Sequence, residues 1–319
     1  MQTYLSIQYL RAIAAMMVVM LHSFSTGTIG FSADIGWLRG GVDIFFVISG
    51  FIMVKSAQGR DDRPVDFWLR RIIRIVPIYW LATYVAMLFF DWNMEQLLKS
   101  FFFISYYNPE AQGYMPILQP GWTVNYEMFF YLLFGFSLLV PDRYRLFLLT
   151  FILTALVILG AVFELQGVAG FYTRPMMLEF CAGMAIAKWQ PKLPLWLIPA
   201  AAIAMVMFWY LELPREIRLG IPAVLLVAAA VSAEAYMPKI RSLMLLGDAS
   251  YAVYLFHLIT LSVVGKMCAV LEFGYAQTFF ACIVASCITG IAIHLGIEKP
   301  VTIWLQRMAF RRSPQPAVT

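Results

Sequence analysis

The chain has 319 residues, 62% hydrophobic and only 13% charged, whereas soluble domains carry roughly 25% charge. That deficit excludes an ordinary water-soluble globule. The net charge of +5 reads as the marking of cytoplasmic loops in a membrane protein, not as a nucleic-acid surface. The cysteines (Cys181, Cys268, Cys282, Cys287) sit in or near apolar segments. Their spacing suits neither a disulfide framework nor a metal site.

Long continuous apolar runs without strict alternation predict helices, since barrel strands alternate polar and apolar residues. The expected fold is an all-α, polytopic transmembrane bundle. Ten spans are placed near 8–26, 40–57, 75–91, 121–140, 146–163, 172–189, 194–211, 219–236, 243–264 and 275–296. The stretch 97–107 is too short to span and is expected to be re-entrant or interfacial. With the N-terminus inside, 17 of the 23 Lys and Arg fall on the inner side, so both termini are expected in the cytoplasm. The first span follows a single Arg and lacks a convincing cleavage site, which favours a retained helix over a signal peptide. Residues 1–298 are expected to form the membrane domain and 299–319 a cytoplasmic tail, disordered from residue 310. No soluble module is expected.

The first span, LRAIAAMMVVMLHSF, carries Arg11 near the inner face and His22 eleven residues later, about 16 Å along a helix axis. Ionisable residues inside a membrane are costly and mark function. Asp43, at the outer start of span two, Glu127, early in span four, and His257, in span nine, fall at similar outer depth. Two histidines and two carboxylates are therefore expected to converge. An imidazole paired with a carboxylate is fixed in one tautomer and can accept a proton, as a general base must. The same side chains could instead bond one another simply to pack helices. GGVDIFFVISGF groups Gly40, Gly41, Ser49 and Gly50 around Asp43, small residues that let helices approach or leave room for substrate. Arg70, Arg71 and Arg74 stand at the entrance to span three. Arg71 and Arg74 share a helix face and suit phosphate binding, although on the sequence alone anchoring at the inner face explains them better. Glu179 needs a partner that the sequence does not name, and His294 reads as packed or interfacial.

These segments together resemble the membrane acyltransferase 3 family over nearly the whole chain. The resemblance rests on Arg11 and His22 in LRAIAAMMVVMLH, on GGVDIFFVISGF, and on Arg71, Arg74, Pro77 and Tyr79 in RRIIRIVPIYW. It rests also on Glu127 in GWTVNYEMFFYLL and His257 in SYAVYLFH. Where many members read Ser-Val-Glu, this chain has Asn125-Tyr126-Glu127. The acidic position is kept, while the preceding small residue is not. The compact size is similar to that of the family's exopolysaccharide-production group.

The resemblance implies O-acyl transfer, with acetyl-CoA as donor and no permanently bound cofactor or metal. The implied acceptor is a sugar hydroxyl of an exopolysaccharide or lipid-linked oligosaccharide. It implies His22 as catalytic base or transient acyl acceptor, Glu127 orienting it, and Arg11 binding donor or stabilising charge. Arg71 and Arg74 would hold the coenzyme A phosphates, with Asp43, Ser49 and His257 in support. The expected location is the bacterial inner membrane, with lipid but no nucleic acid as partner. Two other readings remain: a transporter or flippase for a lipid-linked sugar, and an assembly subunit of a secretion complex. Transporters commonly show inverted repeats and interrupted helices, and neither is evident.

Overall fold

The computed structural model describes residues 4–26, 34–58 and 63–310. The chain is almost wholly helical, in chain order α1 (Leu5–Thr26), α2 (Gly40–Ala57), α3 (Pro64–Ala86) and α4 (Met94–Phe101). A two-residue hairpin, β1 (Tyr107–Asn108) with β2 (Gly113–Tyr114), precedes α5 (Gly121–Ser137), α6 (Asp142–Val162), α7 (Gly167–Tyr172) and α8 (Leu178–Trp189). There follow α9 (Leu197–Trp209), α10 (Ile221–Ser232), α11 (Arg241–Val270), α12 (Tyr275–Ile293) and α13 (Lys299–Ala309). Single π-helical turns, Glu216–Gly220 and His294–Glu298, lead into α10 and α13.

Five helical stretches among the described residues are long and apolar enough to cross a membrane: Leu5–Phe24, Gly36–Ala57, Asp142–Val162, Arg241–Val270 and Tyr275–Ala309. The other expected spans are also helical, but shorter or more polar. α3 starts at Pro64, well before the expected 75, because proline suits a helix's first turn. Its three arginines therefore lie within the helix. The segment expected not to span is the eight-residue α4, opened by reciprocal bonds between Asn93 and Gln96. At the other end, Lys299–Ala309 is a helix. The disorder expected from residue 310 lies, from 311 onward, outside the described residues.

α2 is apolar on every side and buried on nearly all of them, as a central helix must be. It packs against α8 at backbone contact and runs parallel to it: Asp43 and Glu179, near their starts, both face Arg215, while Phe51 and Gln190, toward their ends, both reach Tyr4. A Cβ on Gly50 would lie 2.0 Å from the Phe180 carbonyl oxygen, and one on Gly183 would lie 1.9 Å from that of Val47. α1 runs parallel to α11, with Gly247 against Gln8, Ala15 and Val19 packed with Ala249 and Val253, and His22 beside His257. The free backbone N–H groups that begin α1 are received by Glu234, at 2.7 Å from Leu5 and 2.9 Å from Ser6, a carboxylate placed where the helix dipole favours it. α6 and α12 lie outermost, turning Phe147, Phe151, Ile158, Phe280, Val284 and Ile288 outward. An apolar rim of this kind belongs in lipid.

Candidate functional site

Helix α1 delivers two functional side chains from one continuous turn series. Arg11 is buried in the helix's N-terminal half and contacts Gln8 at 3.4 Å. His22 sits three turns further on, where its Nδ1 lies 3.0 Å from the Val18 carbonyl oxygen and 3.1 Å from Nε2 of His257. His257 is fully buried, and its Nδ1 lies 2.6 Å from the carbonyl oxygen of Tyr254. The parallel packing of α1 and α11 makes this meeting possible, since it matches the heights of residues sixteen or seventeen positions from each helix start.

Glu127 extends from α5 toward α2. Its Oε1 accepts from Ser49 at 3.0 Å and from the hydroxyl of Tyr131, one turn along the same helix. Ser49 and Tyr131 also contact each other at 3.1 Å. Thr123, one turn earlier on α5, meets the Tyr254 hydroxyl at 2.9 Å, and both reach the Pro120 carbonyl.

Arg71, Arg74, Arg11 and Glu127 line one cavity of about 90 Å³, together with Ser49, Thr123, Tyr131 and Tyr254. Arg71 bonds Ser56 at 2.8 Å and lies over the rings of Phe67 and Tyr131. A second cavity, about 360 Å³, shares Arg11, Ile52 and Arg74 with the first and opens among Lys55, Asp248, His294, Glu298 and Lys299. Three guanidinium groups and one carboxylate line the first cavity, an arrangement with an excess of positive charge. Planar donor forks at that spacing suit a phosphorylated ligand.

The structure unites Arg11, Arg71, Arg74, Ser49 and Glu127 around this chamber, and pairs His22 with His257. Two expectations are corrected. The imidazole beside His22 belongs to His257, while Glu127 bonds Ser49 and Tyr131 instead, because both hydroxyls stand nearer its carboxylate. Asp43 turns away from this group as well. It is fully buried in an ion pair with Arg215 at 2.8 Å, and Arg215 also lies 3.9 Å from Glu179. Arg215 thus forms a long ion pair with Glu179, whose carboxylate oxygens make no hydrogen bond among the described residues. No local sequence signal marks Arg215, which lies between α9 and α10. Tyr131 and Tyr254 were legible in principle, four residues after Glu127 and three before His257, but apolar neighbours disguise them. Tyr126 belongs to the core: it is fully buried and bonds the Phe171 carbonyl at 2.6 Å. His294 pairs with Glu298 at 2.8 Å on the wall of the second cavity.

A family model for an acyltransferase domain matches residues 4–295. The chain belongs to the membrane acyltransferase 3 family. It is 39% identical over 287 residues to the exopolysaccharide production protein ExoZ of Rhizobium meliloti (strain 1021), covering 82% of this chain and 88% of that one. It is 28% identical to the putative membrane-bound transacylase BcsY of Komagataeibacter xylinus, over 78% of this chain and 70% of the relative. A segment comprising 42% of the chain is 28% identical to the peptidoglycan O-acetyltransferase OatA of Listeria monocytogenes, where it covers 24% of the relative. No solved structure matches the chain. The protein is a membrane acyltransferase, and its arginine-lined chamber lies within the matched domain.

Proposed function

We propose that this enzyme moves an acetyl group from acetyl-CoA to a sugar hydroxyl of an exopolysaccharide or its lipid-linked repeat. The observation that carries the reading is a pair of neighbouring cavities sharing Arg11, Ile52 and Arg74, one lined also by Arg71 and Glu127, the other by Lys55 and Lys299 beside Asp248 and Glu298. Coenzyme A is a long, polyanionic carrier with its thioester at the far tip. A basic passage leading inward suits its phosphates, and a small chamber suits its slender arm. The glycan acceptor is carried over from ExoZ and OatA, whose names specify exopolysaccharide production and peptidoglycan O-acetylation.

In the proposed step, His22 takes the proton of the sugar hydroxyl while that oxygen attacks the thioester carbonyl carbon. The tetrahedral intermediate collapses, the carbon–sulfur bond breaks, and the departing thiolate takes the proton back from the imidazolium. Thioester and alcohol become ester and thiol, and no proton is left over. Arg11, three turns of α1 from His22 and in the same cavity as Arg71 and Arg74, helps hold the donor, and Arg71 and Arg74 hold phosphate. Glu127 shapes the chamber with Ser49 and Tyr131. Asp43 supports the fold at the outer end of α2.

The proposed setting is the bacterial cytoplasmic membrane, with ten spans and both termini inside. The positive-inside count favours it, and so does the parallel course of α1 with α11 and of α2 with α8, since those span pairs share a direction in a ten-span order. Membranes holding the enzyme, given radiolabelled acetyl-CoA, should transfer label to glycan as base-labile ester. Full transfer by His22→Ala at normal protein level would refute the role of His22. Glycan translocation without consumption of acetyl-CoA would point to a carrier.

A further inference from the structure

Backbone carbonyl oxygens accept hydrogen bonds and never donate them. Two of them, facing two histidine rings, settle where the protons lie. The carbonyl oxygen of Tyr254 stands 2.6 Å from Nδ1 of His257, so that nitrogen carries hydrogen. The neutral ring then has its lone pair on Nε2. That atom faces Nδ1 of His22 at 3.1 Å, and Nδ1 of His22 also faces the Val18 carbonyl oxygen at 3.0 Å. Nδ1 of His22 is therefore the donor, shared between the carbonyl and His257. The reverse order would set lone pairs against both carbonyl oxygens. A single arrangement satisfies these three contacts, and it places the lone pair of His22 on Nε2.

We infer that His257 is a positioning residue that fixes His22 in the Nδ1–H tautomer, making Nε2 the nitrogen that accepts the acceptor's proton. This inference rests on the proposed role of His22 as base. A carboxylate usually fixes the orientation of a catalytic histidine. Here a second neutral imidazole does so, and it is itself held by the backbone one turn earlier. When Nε2 of His22 gains a proton, Nδ1–H still points at the lone pair of His257, which stabilises the charge without a buried anion. The relay is also tied to the donor chamber. Tyr254 lines that chamber, and its hydroxyl contacts Thr123, one turn before Glu127 on α5. The same residue thus touches the chamber through its side chain and orders the histidines through its carbonyl.

The test compares His257→Leu, His257→Gln and His22→Ala in full-length enzyme, using labelled acetyl-CoA and glycan acceptor. A glutamine can accept from His22 through its carbonyl oxygen and donate to Tyr254 through its amide, preserving the relay's polarity; leucine can do neither. His257→Leu should lower kcat by roughly 100-fold, the scale of a mispositioned general base, with the KM for acetyl-CoA nearly unchanged. His257→Gln should recover most of that loss. The inference is overturned if His257→Leu keeps wild-type kcat, or if folded His257→Gln is no better than folded His257→Leu. A second measurement covers failure to fold: nitrogen NMR of wild-type enzyme with labelled histidine should find Nδ1 of His22 protonated and Nε2 bare, and the opposite tautomer overturns the inference. A fully active His22→Ala would sink the underlying reading too. An inactive His22→Ala beside an active His257→Leu would sink the relay alone.

Discussion

Arg215 reaches from the segment between α9 and α10 to bond Asp43 at 2.8 Å, and stands 3.9 Å from Glu179. One cation therefore serves two buried carboxylates on two parallel helices. Removing it leaves Asp43, fully buried, without its countercharge. Arg215→Ala should cost about 1–3 kcal/mol, the range for stranding a buried acceptor, read as a lower thermal midpoint in detergent. Adding Asp43→Asn should return part of that loss. Equal midpoints for Arg215→Ala and wild type would show that the pair contributes nothing.

The α2–α8 contact admits no side chain at Gly50 or Gly183. Since the atom each Cβ would meet is backbone, neither helix can yield by rotating a side chain. Gly50→Ala should destabilise by about 1–3 kcal/mol, as overpacking generally does. Gly296, which has open space beyond its Cα, is the matched control. Thermal unfolding of the two alanine variants, side by side, measures the difference.

Arg71 and Arg74 should act on donor binding rather than on turnover. Hydrogen bonds to charged groups contribute roughly 1.5–3 kcal/mol. Each alanine substitution should therefore raise the KM for acetyl-CoA by about 10- to 100-fold while sparing saturated kcat. Arg71→Lys should restore little, because an ammonium lacks the planar fork and stacks poorly over the Phe67 and Tyr131 rings it would meet. Initial rates over a range of acetyl-CoA concentrations separate the two constants.

Glu127 is gripped by two hydroxyls, so the charge and the hydrogen bonds can be tested apart. Glu127→Gln keeps an acceptor for Ser49 and removes the charge facing three arginines. It should lower kcat/KM by at least about tenfold, the worth of one charge-assisted contact. Tyr131→Phe keeps the charge and loses one donor, and should do less harm. The same transfer assay ranks both variants, and a larger loss in Tyr131→Phe would show that the hydroxyl matters more than the charge.

Much was legible without coordinates. The 13% charge content and the apolar run lengths established a helical membrane chain, because hydrocarbon leaves backbone polar groups few other solutions. Costly polar residues within apolar runs exposed Arg11, His22, Glu127 and His257, and the spacing of Arg71 and Arg74 put them on one face. Partnership was not legible. Depth along a helix follows from counting residues, but direction around the helix axis depends on which neighbours pack there. Asp43 and Glu127 thus matched in height and still turned to different partners, Arg215 for one and Ser49 with Tyr131 for the other. The sequence by itself determined which side chains would be buried at which level. Only the tertiary structure decided that His22 meets an imidazole and not a carboxylate, because that depends on the parallel packing of α1 and α11, whose cause lies more than two hundred residues apart along the chain.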